Sequence, residues 1–248
     1  GVARRWTYAA PYDHQRRVDP DYENCRYVMF FGRTLQASMG AAHRLAQARA
    51  NGTLKAVYVD PRRPEPAFAQ SEWVPIVPGT DAALALAMTR EIVATGLADL
   101  KFVAAHTNAP LLIRDDGTPL TSAVVRGDKE ESLFAIWDGK ANALAFQGVK
   151  RNEKGVATEF VLTSGAEPAL DYAGEVTLAS GEKVKTQTAW RLLTQRIERY
   201  TPEVAAGITG IDAAVIRRLA KEFATQGGVA DDGWYLTRNG NDTDAARS

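Results

Sequence analysis

Two short apolar runs on either side of one amphipathic segment constrain the fold of this chain more than any other feature. The run RYVMFFG at residues 26–32 is rich in aromatic and β-branched residues and ends in glycine, which is typical of a buried parallel strand. The run LKAVYVDPRR at residues 54–63 predicts a second strand. Between them, apolar residues recur with helical spacing as far as Asn51-Gly52. These elements predict one βαβ unit with a right-handed crossover.

A third strand-to-helix transition follows in WVPIVPGTDAALALAM, residues 73–88. Pro78 is expected to end the strand, and Gly79 permits a sharp turn of the backbone. Thr80 is predicted to be the helix N-cap, with its hydroxyl accepting a hydrogen bond from the first free amides. The helix is predicted over residues 80–95, so the turn before it should lie at the rim of a sheet.

Residues 109–185 have a different character, with short strand-like runs separated by Gly, Asp and Asn turns. Helical periodicity returns afterwards, and Asp212 can cap the last helix. A further strand is predicted near Gly228 to Asp231. We therefore predict an α/β fold: a doubly wound, mostly parallel Rossmann-like sheet with a β-rich insertion.

Four segments are predicted along the chain. Residues 1–25 are a lead-in that follows a missing N-terminal region, and residues 26–108 are the α/β part. Residues 109–185 are the β-rich insertion, and residues 186–248 return to the α/β domain, which is cut at its C-terminal end. The start of the chain lacks the apolar core of a signal peptide, and the end lies in a polar stretch. We therefore expect a piece of a longer protein.

Composition excludes several classes of function. The 30 basic and 30 acidic residues cancel, so no net field attracts the chain to nucleic acid, and no nucleic-acid partner is predicted. The single cysteine, Cys25, excludes an internal disulfide and a multi-cysteine metal site. His14, His43 and His106 lack the spacing of metal ligands. Without a Walker loop, a nucleophile elbow or a GxGxxG motif, the sequence predicts no catalytic residue and no metal ligand.

Ligands of open α/β sheets bind beyond the carboxyl ends of the strands, and the first two ends carry suitable residues. At Gly32-Arg33-Thr34, glycine allows close backbone approach, the following helix offers free amides to phosphate, and Arg33 adds positive charge. The alternative is a simple turn. At Asp60-Pro61-Arg62, the carboxylate can accept both hydroxyls of a ribose, although Asp before Pro is also a common end of a strand.

The third end leaves Asp81 at the start of the predicted helix. Its carboxylate either favours the helix dipole or contacts a ligand. The residues alone leave both interpretations open.

Three stretches together closely resemble the catalytic subunits of the dimethyl sulfoxide reductase family of molybdenum enzymes: FFGRTLQASMG, VYVDPRRPEPAFAQSEWVPIVPGTDAALALAM and YTPEVAAGITGIDAAVIRRLAKEFA. The resemblance covers nearly the whole chain and is strongest over residues 26–108. The family's Asp-Pro-Arg stretch matches residues 60–62, and its Pro-Gly-Thr-Asp turn matches residues 78–81.

The resemblance implies that residues 26–108 hold one of two molybdopterin guanine dinucleotides that carry molybdenum or tungsten. Asp81 would read the base, because the guanine N1–H and amine are two parallel donors and a carboxylate offers two parallel acceptors. Adenine would turn a lone pair toward the carboxylate and be rejected. The cofactor-binding residues implied in this way are Gly32, Arg33, Thr34, Asp60, Pro61, Arg62, Pro78, Gly79 and Asp81.

For the whole enzyme, the resemblance implies oxidation or reduction of a small-molecule substrate, a sulfur compound or an arsenic oxyanion. Electrons would pass through an iron-sulfur cluster, expected only in the missing N-terminal region, to an iron-sulfur electron-transfer subunit. A membrane anchor subunit is a further partner to consider, and the expected location is the periplasm or the outer side of the cytoplasmic membrane. The family's iron-sulfur cysteines, metal-ligating residue and carboxy-terminal domain have no counterpart in this chain.

Two alternatives stay open. The first is a cofactor-free structural homologue within a respiratory electron-transfer complex, which would have no reason to keep both the Asp60 and the Asp81 turns. The second is a nucleotide-sugar or NAD enzyme, against which the absence of a glycine-rich first loop counts.

Overall fold

The computed structural model divides the chain into two compact units. One unit contains residues 1–88 and 202–248, and the other contains residues 89–201. The residues that the structure describes are 26–32, 46–48, 50, 52, 54–63, 71–128, 133–151 and 157–226.

The first unit is organised around a parallel sheet of strands β1 (Tyr27–Phe31), β2 (Lys55–Val59) and β3 (Glu72–Val74). The strands lie in the order β1-β2-β3, and both pairs are parallel. The central strand is apolar on both faces, as a covered parallel strand must be, and Val57 and Val59 are fully buried. The described residues between β1 and β2 include helical positions, which confirms the predicted order of strand, helix and parallel strand.

The chain therefore has a mixed α/β fold, as predicted in its coarse form. Within the described residues, the parallel sheet has three strands in the order β1-β2-β3. The doubly wound arrangement stays a prediction, and the strand predicted near Gly228 to Asp231 lies outside the described residues.

The described residues of this unit also include α1 (Asp81–Ala94), which continues past its boundary, together with α5 (Pro202–Thr209) and α6 (Ala213–Gln226). The prediction for α1 is confirmed to within one residue at each end. Asp212 caps α6 as predicted, because its Oδ1 accepts a hydrogen bond of 2.7 Å from the Ala214 N–H. Helix α6 packs against β1, and its Ile216, Leu219 and Ala220 are buried.

An ionic network joins α6 to the amino ends of β2 and β3. Lys55 Nζ lies 2.7 Å from Glu222 Oε2 and 3.3 Å from Glu72 Oε2. Arg218 binds both oxygens of Glu72 and reaches Glu222 Oε1 at 3.0 Å. Burial opposes ionisation of Glu222, but the hydrogen bonds from Lys55 and Arg218 outweigh it and hold the pKa of Glu222 below its usual value. Burial and the Glu222 carboxylate raise the pKa of Tyr27, which therefore stays neutral.

The second unit carries two antiparallel sheets of three strands each among its described residues, in the orders β4-β9-β8 and β5-β6-β7. A buried cluster that includes Leu112, Leu120, Phe146 and Val176 forms its core. The elements of this unit after α1 are α2 (Leu100–His106), β4 (Leu112–Arg114), α3 (Ser122–Arg126), β5 (Leu133–Asp138), β6 (Ala143–Arg151), β7 (Ala157–Leu162), β8 (Ala173–Thr177), β9 (Lys183–Thr188) and α4 (Ala189–Ile197).

The unit limits differ from the segment boundaries predicted at 108/109 and 185/186. The second boundary falls inside β9, because β9 pairs with both β4 and β8 and continues as far as Thr188. Thr188 then caps α4, its Oγ1 accepting from the Arg191 N–H at 3.3 Å, so strand and helix follow without a break.

Among the described residues, no helix has the length and the apolar character needed to cross a membrane.

Candidate functional site

The carboxyl ends of the three parallel strands meet at one edge of the sheet. The Gly32 N–H donates to the Val59 carbonyl at 3.1 Å, and the Asp60 N–H donates to the Val74 carbonyl at 3.3 Å. The residue that follows each of the first two strands is thus bonded to the last residue of the next strand. The structure places the first two predicted strand ends side by side.

Gly32 has a positive φ of 55°, a conformation that L side chains rarely adopt. A Cβ built at this position meets no atom of the described residues within 4 Å, so the positive φ is the constraint on this position that the described structure shows. Arg33 and Thr34 lie outside the described residues, and their contacts with a phosphate stay predictions.

Three hydrogen bonds hold Asp60 just beyond β2. Its N–H donates to Val74, its carbonyl accepts from the indole Nε1–H of Trp73 at 2.8 Å, and its Oδ1 accepts from the Arg62 N–H at 2.8 Å. The last bond closes a turn around Pro61, which is exposed, as is Arg62.

This geometry refines the role predicted for Asp60. Oδ1 is engaged by the backbone, whereas Oδ2 has no hydrogen-bond partner among the described residues. The carboxylate therefore offers one unengaged oxygen to a ligand rather than two equivalent ones. Sequence reasoning also missed Trp73, although a tryptophan next to the end of a strand is a usable signal because its indole N–H usually finds an acceptor when it is partly buried.

The Pro-Gly-Thr segment forms a type II turn. The Thr80 N–H donates to the Val77 carbonyl at 3.3 Å, with Pro78 and Gly79 at the two central positions. Gly79 has φ +80°, which a type II turn requires at its third residue and glycine adopts without strain. The Val77 N–H in turn donates to the Thr209 carbonyl at 3.0 Å, which anchors the turn to the end of α5.

The hydrogen bond predicted for the Thr80 side chain is wrong. The Thr80 hydroxyl donates to the Val77 carbonyl at 2.6 Å, within the turn, instead of accepting from the helix. The Thr80 carbonyl accepts from Ala83 and Leu84 at 3.0 and 3.4 Å, so Thr80 does occupy the position at which the helix begins. The type II turn brings the Val77 carbonyl within hydrogen-bond distance of both the N–H and the hydroxyl of Thr80.

Thr80→Val should therefore destabilise the turn by about 1 kcal/mol, the net value of one hydrogen bond, because valine keeps the β-branched shape and removes the donor. Thermal unfolding of the 248-residue chain is the measurement. Thr80→Ser is the control, since serine keeps the hydroxyl and should lose much less. Equal destabilisation by both variants would show that the hydroxyl contributes nothing.

Asp81 is the first residue of α1 and is exposed. Among the described residues, no hydrogen-bond donor or cation contacts its carboxylate. A charge at this position favours the helix dipole, and its oxygens are also open to a ligand, so the geometry is compatible with both interpretations.

The residues present fit a group that carries several hydrogen-bond donors. Asp60 Oδ2 and the Asp81 carboxylate are acceptors that no described residue engages, and they follow two neighbouring strands, which suits the hydroxyls of a ribose and the donors of guanine. Gly32 itself carries no side chain, so its backbone at the first strand end is open to close approach by a ligand.

A separate depression lies at the opposite, amino end of the sheet. Its volume is about 410 Å³, and it is lined by Arg26, Gly52, Leu54, Lys55, Thr225 and Gln226. None of the predicted site residues lines it. Elsewhere in the described part of the chain, no group of three or more His, Cys, Asp or Glu side chains is placed to hold a metal ion.

No protein-family profile matches the sequence. The chain is similar to the alpha subunit of perchlorate reductase from Dechloromonas aromatica, with 30% identity over 226 residues that cover 83% of this chain and 24% of that protein. It is also similar to a sulfite dehydrogenase subunit from Allochromatium vinosum, with 40% identity over 167 residues, 67% of this chain and 16% of that protein.

Among solved structures, acetylene hydratase from Pelobacter acetylenicus matches 83% of this chain and 18% of its own, with 20% identity and a TM-score of 0.45, a likeness too weak to support an argument. The chain spans no more than a quarter of the length of the two curated relatives named above.

Proposed function

The chain belongs to the dimethyl sulfoxide reductase family of molybdopterin oxidoreductase catalytic subunits, and from this premise we propose that it is the central segment of such a subunit, where it holds one molybdopterin guanine dinucleotide. The observation that carries the proposal is the arrangement of Asp60 and Asp81. Both follow neighbouring parallel strands, and both keep carboxylate oxygens that no described residue engages.

Asp81 recognises the base in this proposal. The guanine N1–H and exocyclic amine donate to its two oxygens, and the negative charge strengthens both bonds. The type II turn at Pro78 and Gly79 fixes the start of α1, so the backbone that carries the Asp81 side chain is held in place.

Asp60 accepts a ribose hydroxyl through Oδ2, the oxygen that its own turn leaves unengaged. The phosphates lie nearest the first strand end, where backbone amides and guanidinium groups suit negative charge. The residues assigned to this part of the site are Gly32, Arg33 and Thr34 at the first strand end, with Pro61 and Arg62 beside them at the second.

When bound, the cofactor supplies a molybdenum or tungsten centre that transfers an oxygen atom or an equivalent group, and the protein's part is to bind and orient it. The named relatives act on perchlorate and sulfite, which supports a substrate that is an oxyanion or a sulfur compound. We propose a sulfur compound or an arsenic oxyanion for this protein.

The parent protein that we propose is longer than this chain and assembles with other subunits. The two curated relatives are each named as one subunit of an enzyme, which supports this arrangement. The proposed partners are an iron-sulfur electron-transfer subunit, together with a membrane anchor subunit, on the periplasmic side of the cytoplasmic membrane. An iron-sulfur cluster in a preceding region, and further strands that complete a doubly wound sheet, are parts of the same proposal.

The test is to identify the small molecules that acid hydrolysis releases from the purified parent protein, together with its metal content. Two guanine nucleotides for each molybdenum or tungsten atom are expected. Release of no nucleotide would favour a cofactor-free structural homologue, and release of an adenine dinucleotide would favour an NAD enzyme. Either result would refute the proposal.

The 248-residue chain by itself should show no turnover, because the metal-ligating residue and the iron-sulfur cysteines of the family have no counterpart in its sequence. The assay uses reduced viologen dye with sulfur and arsenic oxyanions, and the parent protein is the positive control. Measurable turnover by the chain alone would contradict this prediction.

A further inference from the structure

We propose that Trp73 is a positioning residue of the dinucleotide site, which fixes the Asp60 carboxylate for the ribose without touching the ligand itself. This inference rests on the proposed function. Its basis is a hydrogen bond of 2.8 Å from the indole Nε1–H of Trp73 to the backbone carbonyl of Asp60.

The bond joins two neighbouring strands just at the point where one of them ends. Trp73 lies in β3 opposite Tyr58 of β2, so its side chain extends past Val59 to the first residue beyond the strand. The half-buried indole has a single N–H donor, and that donor is used for the Asp60 carbonyl.

The Asp60-Pro61 peptide makes the bond more important than an ordinary side-chain contact. Proline has no N–H, so the Asp60 carbonyl is the only group of that peptide that can form a hydrogen bond and so fix its orientation. The Asp60 N–H and Oδ1 are held by Val74 and Arg62 on either side. Without Trp73, the peptide can tilt by rotation at the ψ angle of Asp60 within the extended region that a residue before proline adopts, and it carries the turn with it.

A tilt of the Asp60-Pro61 peptide would move the Asp60 carboxylate, which is the group proposed to bind the ribose. The Asp60 Oδ1 bond to the Arg62 N–H spans the same peptide, so a shift of that peptide breaks or redirects the bond. The direction of Oδ2 changes with it. Trp73 therefore acts on the ligand through Asp60, and its contribution should vanish when the Asp60 carboxylate is absent.

The experiment measures the rate at which guanine nucleotide is lost from the parent protein after timed dilution, with the retained nucleotide determined by acid release. Trp73→Phe keeps an aromatic ring and removes the donor, and it should speed the loss by about three- to tenfold. Trp137→Phe is the matched control. The Trp137 ring stacks on Tyr172 at 4.1 Å, no described residue accepts from its indole N–H, and its replacement should leave the rate unchanged.

A double-mutant cycle separates positioning from general stability. Asp60→Ala should speed nucleotide loss, and adding Trp73→Phe to it should have no further effect. Additive effects would overturn the positioning role, and so would an unchanged rate in Trp73→Phe alone. An unchanged rate in Asp60→Ala would instead refute the proposed contact between Asp60 and the cofactor.

If Trp73→Phe folds poorly, the same measurement is made on a second variant, Trp73→benzothienylalanine. This residue keeps the bicyclic shape and replaces the N–H by sulfur, so packing is preserved and only the donor is lost. The same three- to tenfold change is expected. A wild-type rate in this variant would overturn the inference.

Discussion

Asp81→Asn in the parent protein should lower the affinity for molybdopterin guanine dinucleotide about tenfold to a hundredfold while the fold stays intact. Asparagine keeps one acceptor but turns an amide donor toward a guanine donor, so one charge-assisted hydrogen bond is lost. A bond to a charged group contributes about 1.5 to 3 kcal/mol, which corresponds to that range of affinity. Because Asp81 is exposed at the start of α1, its replacement removes no packing.

The measurement is guanine nucleotide released by acid hydrolysis per mole of protein, alongside thermal unfolding. Asp212→Asn is the matched control, since Asp212 also stands at the start of a helix, and asparagine caps helices about as well as aspartate. Full retention of nucleotide by Asp81→Asn would show that the carboxylate serves only the helix dipole.

Arg218→Met should destabilise the first unit by about 1 to 3 kcal/mol at neutral pH. Methionine keeps much of the length of the side chain but leaves Glu72 and Glu222 facing each other with Lys55 as the only remaining cation of the network. The side chains are 39%, 28% and 16% exposed for Arg218, Glu72 and Glu222. The effect should therefore fall between that of an exposed ion pair and that of a buried one.

Hydrogen exchange of peptides that cover β1 and β2 would measure this change in the free energy of local unfolding. Arg217→Met is the control on the same helix, because the Arg217 pair with Glu203 is more exposed and should contribute about 0 to 1 kcal/mol. Equal effects of the two substitutions would contradict a special role for the network.

The deficit of Arg218→Met should also shrink as the pH falls. Glu222 has a pKa below its ordinary value in the folded protein, so its contribution is complete above the unfolded pKa of about 4.3 and is lost as the pH falls through the folded pKa. Protonation removes the pairing from the wild type too, and the two proteins then approach each other in stability. A deficit that is constant between pH 7 and pH 3 would exclude this linkage.

The sequence alone determined the elements whose signals are local. Strands β1 and β2 were predicted from continuous apolar runs, because a strand buried on both faces is apolar throughout, and α1 was predicted from its alanine-rich, mostly apolar stretch. The Pro78-Gly79 turn was predicted for a similar reason. A fixed φ at proline and a positive φ at glycine are properties of single residues, and they specify a type II turn wherever the chain can form one.

Only the tertiary structure decided which partners the polar groups take. Trp73 of β3 reaches the carbonyl of Asp60 beyond β2, and Arg218 joins Glu72 across 146 positions of the chain. A donor has several acceptors within reach of its side chain, and the choice among them depends on strands and helices that are distant in sequence. The sequence therefore yields candidate residues for the site, whereas the fold was needed to show that Asp60 Oδ2 has no partner among the described residues and that the Trp73 indole binds the Asp60 carbonyl.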